Sequence, residues 1–454
     1  MKHPLRSLAA LTLAALAAAC TPSPAPNAAQ PDAAQPDAAQ PDAAQPDAAQ
    51  PDPLARLSMA APSGSARVDD MLRLAQEKIR RIPSRHEPWV ELAEAWVRKA
   101  REAQDPAFYR HAQDAAQEAL RLKPDDNAPA LRVLGLVARE QHDFAKLREL
   151  ASKLTQQNPQ DASAWGLLGD AALELGDYKG SEGAYQKMLD LRPGLPAYSR
   201  AAWLRWLTGD PDGALELWDE AIRAGAERDP EPLAYCLTEA GHVDWHRGRL
   251  DAALTRYEAA LKVKPDHAGA LLGRGRVRLA QGDGAGAVAD LDASLKARRL
   301  EETFLWLMDA KRAAGQGAEA DQMEAQLLKG SALDDPRTMS VWLSTRNKEP
   351  ARALALAQED AKQRQDLYTQ DALALALWRN GKLPEAEVLV GKMLALGTPD
   401  PKLLAHGGLI LADAGKPDLA RPLLEKALAL NPMFDPGLAP AVRAALDKLP
   451  KATP

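Results

Sequence analysis

The chain has 454 residues, 46% hydrophobic but only 5% aromatic, so it is too long for one ordinary core and too rich in Ala and Leu for a sheet protein. A formal charge of −6 and a total of two cysteines exclude a global basic field for nucleic acid and a disulfide framework. The first element, residues 1–20 (MKHPLRSLAALTLAALAAAC), joins Lys2 and Arg6 to an apolar run from Leu8 to Leu16 and small residues up to Cys20, a secretory signal too short to span a bilayer.

This element resembles a bacterial lipoprotein signal. The resemblance implies a signal peptide over 1–19, with Cys20 as the lipidated first mature residue, and Thr21 in place of Asp implies the periplasmic face of the outer membrane. Ala17 departs from the branched residue usual there. Ala17-Ala18-Ala19 also reads as an ordinary cleavage site, which would leave a soluble periplasmic or secreted protein. Residues 20–66 form a low-complexity linker with AAQPD repeated five times between Ala28 and Asp52; a proline every fifth residue forbids a stable helix, and the repeated pentapeptide has no large apolar side chain to offset the ordering entropy. Removing Lys2 and Arg6 takes the formal charge from −6 to −8, and Asp32, Asp37, Asp42, Asp47 and Asp52 lie in this tract, so the remainder is near neutral.

A capping helix is expected within 67–85, followed by repeats over 86–432 and a second capping helix and tail over 433–454. The first unit carries Trp89, Leu92, Ala93 and Trp96, then Ala112, Ala116 and Ala119, with an insertion around Arg101 to Phe108. The clearest unit is Ala164 to Pro193. Trp165, Leu168, Gly169 and Ala172 make one apolar stripe, Gly176-Asp177 breaks it, and Tyr178, Tyr185, Met188 and Leu191 make a second that ends at Pro193. Equivalent turns fall at Gly209, Gly248, Gly282, Gly315, Lys348, Gly381 and Gly415, in steps of 33, 39, 34, 33, 33, 33 and 34 residues. Small residues recur where paired helices cross, at Gly135, Gly169, Ala202, Gly241, Gly275 and Gly408, then Ala214, Ala253, Ala287, Ala320, Ala353, Ala386 and Ala420. The eighth unit is the weakest, with Lys348 at its turn and Asp360 at a small-residue position.

A two-helix period near 34 with these small residues resembles the tetratricopeptide repeat (TPR). The resemblance implies an all-α, TPR-type α-solenoid of about ten repeats, wound as a right-handed superhelix in which each unit touches its neighbours and the first helices line a concave groove.

Candidate chemistry is sparse. His242-x-x-x-His246 has zinc-compatible spacing with Cys236 and Asp244 nearby, but no Glu follows His242 as the metalloprotease pattern requires and Cys236 lies on a different part of the helix surface, so the pair reads as polar groove lining. Gly282-x-Gly284-x-Gly286 lacks the strand and Lys-Ser/Thr of a phosphate loop. No catalytic residue, metal or other cofactor is assigned. By resemblance, Trp203, Trp206, Trp245, Trp342 and Trp378 fall at groove-facing positions, with His242, His246, Arg346 and Arg379 beside them, and these nine form the candidate ligand groove. The Lys and Asn pairs that some cytoplasmic relatives use to clamp a peptide C-terminus are absent: Thr238/His242 and Ser199/Trp203 stand there instead. The expected function is a scaffold for a protein or peptide partner in the cell envelope, membrane-linked through the lipid and without nucleic acid. A carbohydrate-binding module and a metal-dependent enzyme centred on the two histidines are the alternatives.

Overall fold

The computed structural model describes residues 56–64, 66–103, 105–225, 230–299, 301–329 and 335–450; the signal, Cys20 and the AAQPD tract lie outside the described residues. Among the described residues there are 22 α-helices. Ten antiparallel pairs stand between the capping helices Arg67–Arg81 and Ala439–Lys448, and the chain is an all-α solenoid. Repeats one to five pair His86–Ala103 with Phe108–Leu122, Ala128–Glu140 with Phe144–Gln157, Ala162–Glu174 with Tyr178–Leu191, Leu195–Leu207 with Pro211–Ala224, and Pro230–His246 with Leu250–Val263. Repeats six to ten pair Ala268–Ala280 with Gly284–Ala297, Glu301–Ala313 with Gly317–Leu328, Pro336–Thr345 with Pro350–Gln363, Leu367–Arg379 with Leu383–Leu394, and Pro401–Asp413 with Pro417–Leu430.

The local code is visible in repeat three. Gly176 has φ 76°, a left-handed conformation that costs glycine little, and the Asp177 carboxylate caps the second helix by accepting from the Gly180 amide at 2.8 Å. Gly169 leaves room for the Tyr185 ring, which a side chain there would strike, and Ser181 is fully buried at the crossing. The cap recurs at Asp143, Asp210 and Asp283, each stabilising its helix by about 1 kcal/mol.

Repeat eight departs from the expected turn. The left-handed position is Asn347 (φ 51°), one residue before Lys348, and Glu349 (φ 41°) is an added turn residue ahead of Pro350. Asn is the residue other than Gly that best tolerates this conformation, which is why the glycine register hides the shift. Asp360 is buried there without being orphaned, because the Thr369 hydroxyl donates to it at 2.7 Å. At the other end, ordered structure begins inside the tract read as linker. Arg56 pairs with Asp114 at 2.7 Å and also with Glu118, and the Trp96 indole donates to the Ser58 carbonyl at 2.9 Å. Three residues of 3-10 helix, Leu57–Met59, are too short to leave a periodic signature.

The superhelix closes on itself, which corrects the expectation that each unit touches only its neighbours. After repeat eight, the Gln365 amide donates to the Glu174 carbonyl in repeat three at 2.7 Å. After repeat nine, the Thr398 hydroxyl donates to the Leu207 carbonyl in repeat four at 2.5 Å, and after repeat ten the Asn431 amide donates to the Trp245 carbonyl in repeat five at 2.8 Å. All three acceptors sit in the last turn of a first helix, where carbonyls lack an intrahelical partner. Leu367, Met393 and Leu403 of repeats nine and ten join the buried cluster of Trp206, Leu207 and Trp218 in repeat four. Repeat periodicity sets neighbour packing but not superhelical pitch, so this long-range seam has no signal in the spacing.

The turn glycines therefore divide into two groups. Cβ atoms at Gly176 and Gly209 would lie 2.8 Å from the carbonyl oxygens of Gln365 and Gly397, and one at Gly248 would overlap the Leu430 carbonyl, whereas Gly282, Gly315, Gly381 and Gly415 have open space around them. Gly282→Ala is expected to cost roughly 1–2 kcal/mol for its left-handed backbone alone. Gly248→Ala must in addition part the seam, so its melting temperature should fall clearly further. Equal losses in the two variants would show that the seam contributes nothing to stability.

Candidate functional site

The first helices of repeats four to ten line the inside of the closed ring, where they enclose a cavity of about 330 Å³. Repeat four supplies Trp203 and Trp206, repeat five Glu239, His242 and His246, and repeat six Arg276. Repeat seven adds Glu302, Trp306 and Asp309, repeat eight Arg337, Trp342 and Arg346, and repeat nine Tyr368 and Asp371. Asp400 and Lys402 of repeat ten and Asp435 beyond it complete the wall. A second chamber of about 290 Å³ adjoins it among repeats two to five, and Trp203 borders both.

Of the nine expected groove residues, Trp203, Trp206, His242, His246, Trp342 and Arg346 border the cavity, and Trp245, Trp378 and Arg379 do not. Trp245 is 1% exposed and meets the Trp306 ring edge-on at 6.1 Å, because its helical position turns it into the core between repeats five and seven. Trp378 donates to Asp413 at 2.9 Å and holds the Arg379 guanidinium 3.6 Å from its ring centre, further along the array. Trp306, Glu239, Arg276 and Glu302 escaped the sequence reading. The signal was present, since Glu239 lies one helical turn before His242–Val243 and Arg276 is the middle member of Arg274, Arg276 and Arg278; only the flanking two turn outward to Asp290.

The wall is mostly paired charge. Arg276 pairs with Glu302 and lies 5.0 Å from the Trp306 ring centre, Arg346 reaches Asp309 at 3.1 Å, and Lys402 lies 3.7 Å from Asp435 and 3.9 Å from Glu302. Burial opposes ionisation of Glu302, but Arg276 and Lys402 outweigh it and hold the carboxyl at about 2. Burial, with Arg276 adding repulsion, takes His242 down to about 3, and the Tyr257 hydroxyl lies 2.8 Å from its Nδ1. His246 is likewise pushed down by burial, against the pull of Asp400 at 3.5 Å, and its Nδ1 has no hydrogen-bond partner. Glu239 differs from the other carboxylates. It has no ion pair or hydrogen bond, and burial raises it to about 7.

The two histidines thus serve as neutral polar wall. Cys236 is fully buried with the apolar cluster of repeat four, its thiol pushed up to about 12. Among the described residues no three His, Cys, Asp or Glu side chains are grouped to hold a metal ion. Likewise, no helix among them is long and apolar enough to cross a membrane. Gly282, Gly284 and Gly286 form the turn into the second helix of repeat six, capped by Asp283.

Glu239 sets a pH dependence. Its folded-state value of about 7 lies above the ordinary 4.5, so the stability this carboxyl contributes is present below about pH 4.5 and lost as pH rises toward 7. Glu239→Gln keeps the shape without the charge. The variant and the wild type should melt together near pH 4, and the variant should melt higher near pH 8, since all other titrating groups are common to both. An offset that is the same at both pH values would contradict the assignment.

The tetratricopeptide repeat family model matches residues 132–196 and 238–301. The chain is 28% identical over 293 residues to Cellulose synthase operon protein C of Pseudomonas fluorescens (strain SBW25), a match covering 63% of this chain and 21% of that relative, so the chain spans about a fifth of the relative's length. Among solved structures, PilW, described as a widely conserved type IV pilus biogenesis factor, is 15% identical with a TM-score of 0.39, over 45% of this chain and 94% of that one. A human IFIT1 dimer with PPP-AAAA is also 15% identical, with a TM-score of 0.45 over 80% and 87% of the two chains. Together with the ten antiparallel helix pairs, the matched segments make the chain an all-α solenoid of tetratricopeptide-repeat type.

Proposed function

We propose that the chain is a non-catalytic scaffold of the bacterial cell envelope that binds a peptide segment of a protein partner inside the closed groove. The signal reading supports a lipid anchor on Cys20 at the periplasmic face of the outer membrane. The observation that carries the binding reading is the cavity itself, whose wall combines Trp203, Trp206, Trp306, Trp342 and Tyr368 with acid–base pairs on the first helices. Aromatic side chains beside a few placed polar groups are the usual lining of a binding site, and Trp and Arg dominate the residues that lose most affinity on truncation. In this reading Trp203, Trp206, His242, His246, Trp342 and Arg346 touch the ligand, while Trp245, Trp378 and Arg379 hold the wall. The name of the cellulose synthase operon relative favours a second reading, in which the same indoles stack on a polysaccharide.

Cross-linking in intact envelopes followed by purification tests the reading. A discrete protein should be recovered with the wild type and lost with Trp203→Ala, a loss of ~30-fold in affinity if that indole is worth about 2 kcal/mol, with little change in melting. Trp245→Ala should instead lower the melting temperature, since a buried Trp→Ala cavity costs about 3–5 kcal/mol. Recovery of glycan without protein would select the second reading. Mass spectrometry of the mature N-terminus decides the anchor: an unacylated Cys20 would remove it.

A further inference from the structure

The cavity wall has a charge imbalance with a definite location. Six carboxyl groups face it against four guanidinium or ammonium groups. Each base already has an acid: Arg276 has Glu302, Arg346 has Asp309, Lys402 has Asp435, and Arg337 has Asp366 at 3.4 Å. Asp371 is taken by His406 at 2.8 Å, and Asp400 lies 3.4 Å from the Tyr368 hydroxyl and 3.5 Å from His246. Glu239 alone in this set has no partner.

The surroundings of Glu239 narrow what could supply one. His242 and His246 on its own helix are neutral through burial, and across the cavity the charged groups acting on it are Arg276 and Glu302, already paired with each other. An entering anion would find no free base and two surplus carboxylates. An entering cation would find an unspent carboxylate within a wall of indoles, whose ring faces attract a desolvated ammonium or guanidinium.

We propose that the cavity takes an organic cation, the side-chain ammonium or guanidinium of a lysine or arginine in the bound peptide, with the Glu239 carboxylate as its counter-ion. The proposal rests on the peptide-binding reading above and adds the chemistry of the residue recognised. Seating the cation releases the proton that Glu239 retains up to about pH 7, so affinity rises from about pH 6 to about pH 8. His242, held at about 3, and Glu302, held at about 2, do not titrate in that interval, and burial pushes His246 below its ordinary value.

Calorimetric titration of the full mature chain with the acetylated, amidated peptide Ala-Ala-Lys-Ala-Ala tests this, alongside the same peptide with norleucine in place of lysine, butylamine, and a neutral glucan oligosaccharide. The lysine peptide should bind about tenfold or more tighter than the norleucine peptide, the usual worth of one charge-assisted hydrogen bond. Glu239→Gln should erase that difference and the pH dependence without lowering the melting temperature at pH 8. Equal binding of the lysine and norleucine peptides would overturn the cation claim and leave peptide binding standing. Butylamine binding as tightly as the lysine peptide would uphold the cation site and sink the peptide as its source. Binding of the oligosaccharide alone would overturn both.

Discussion

The interaction on which the rest of this molecule depends is the pairing of helix-end carbonyls with a later part of the same chain. A first helix ends with carbonyls that have no intrahelical donor, and in an open solenoid water supplies the missing bonds. Here the Glu174 and Leu207 carbonyls receive them from Gln365 and Thr398, and the Trp245 carbonyl, which already accepts from the Gly248 amide, takes a second bond from Asn431, each donor in the loop that leaves a later repeat. The match works because the same period operates on both sides: three successive turns meet three successive loops. Glycine at Gly176, Gly209 and Gly248 then acts twice, supplying the left-handed turn and allowing the second layer of backbone to approach.

Closure changes what the concave face can do. In an open superhelix the indoles and charges of the first helices would face bulk water, where ion pairs are worth little. Inside the ring, burial depresses His242 to about 3 and raises Glu239 to about 7, while Arg276 and Lys402 keep Glu302 ionised at about 2. The array's interior is therefore a polar but largely self-paired wall with one unspent carboxyl, and that carboxyl gives the groove a preference in charge. The seam also ties distant repeats together, so their stability is no longer a sum over neighbours alone.

Much of this was legible in the sequence, for a physical reason. Turn glycines, Asp caps and small crossing residues act within one repeat, and their effect is complete within about 34 residues, so periodicity exposes them. Asn347 was missed because its side chain tolerates a conformation that the pattern associates with Gly, and Arg56 to Ser58 because three residues carry no period. By position the sequence picked out Trp203, Trp206, His242, His246, Trp342 and Arg346, which border the cavity. Trp245 was misplaced by its neighbours' pattern, being 1% exposed in the core, and Glu239 could not be singled out because its distinction is the absence of a partner, which only the fold reveals.

The most direct test of closure is the hydrogen-exchange rate of the Gln365 backbone amide. This residue follows the end of the second helix of repeat eight, and its amide bonds across the ring to Glu174 and to nothing in its own repeat. A closed ring predicts that it is protected to a degree approaching the flanking helices. Exchange of Gln365 at the rate of an unstructured loop, with the helices on either side still protected, would mean that the solenoid is open and that the enclosed groove does not exist in solution.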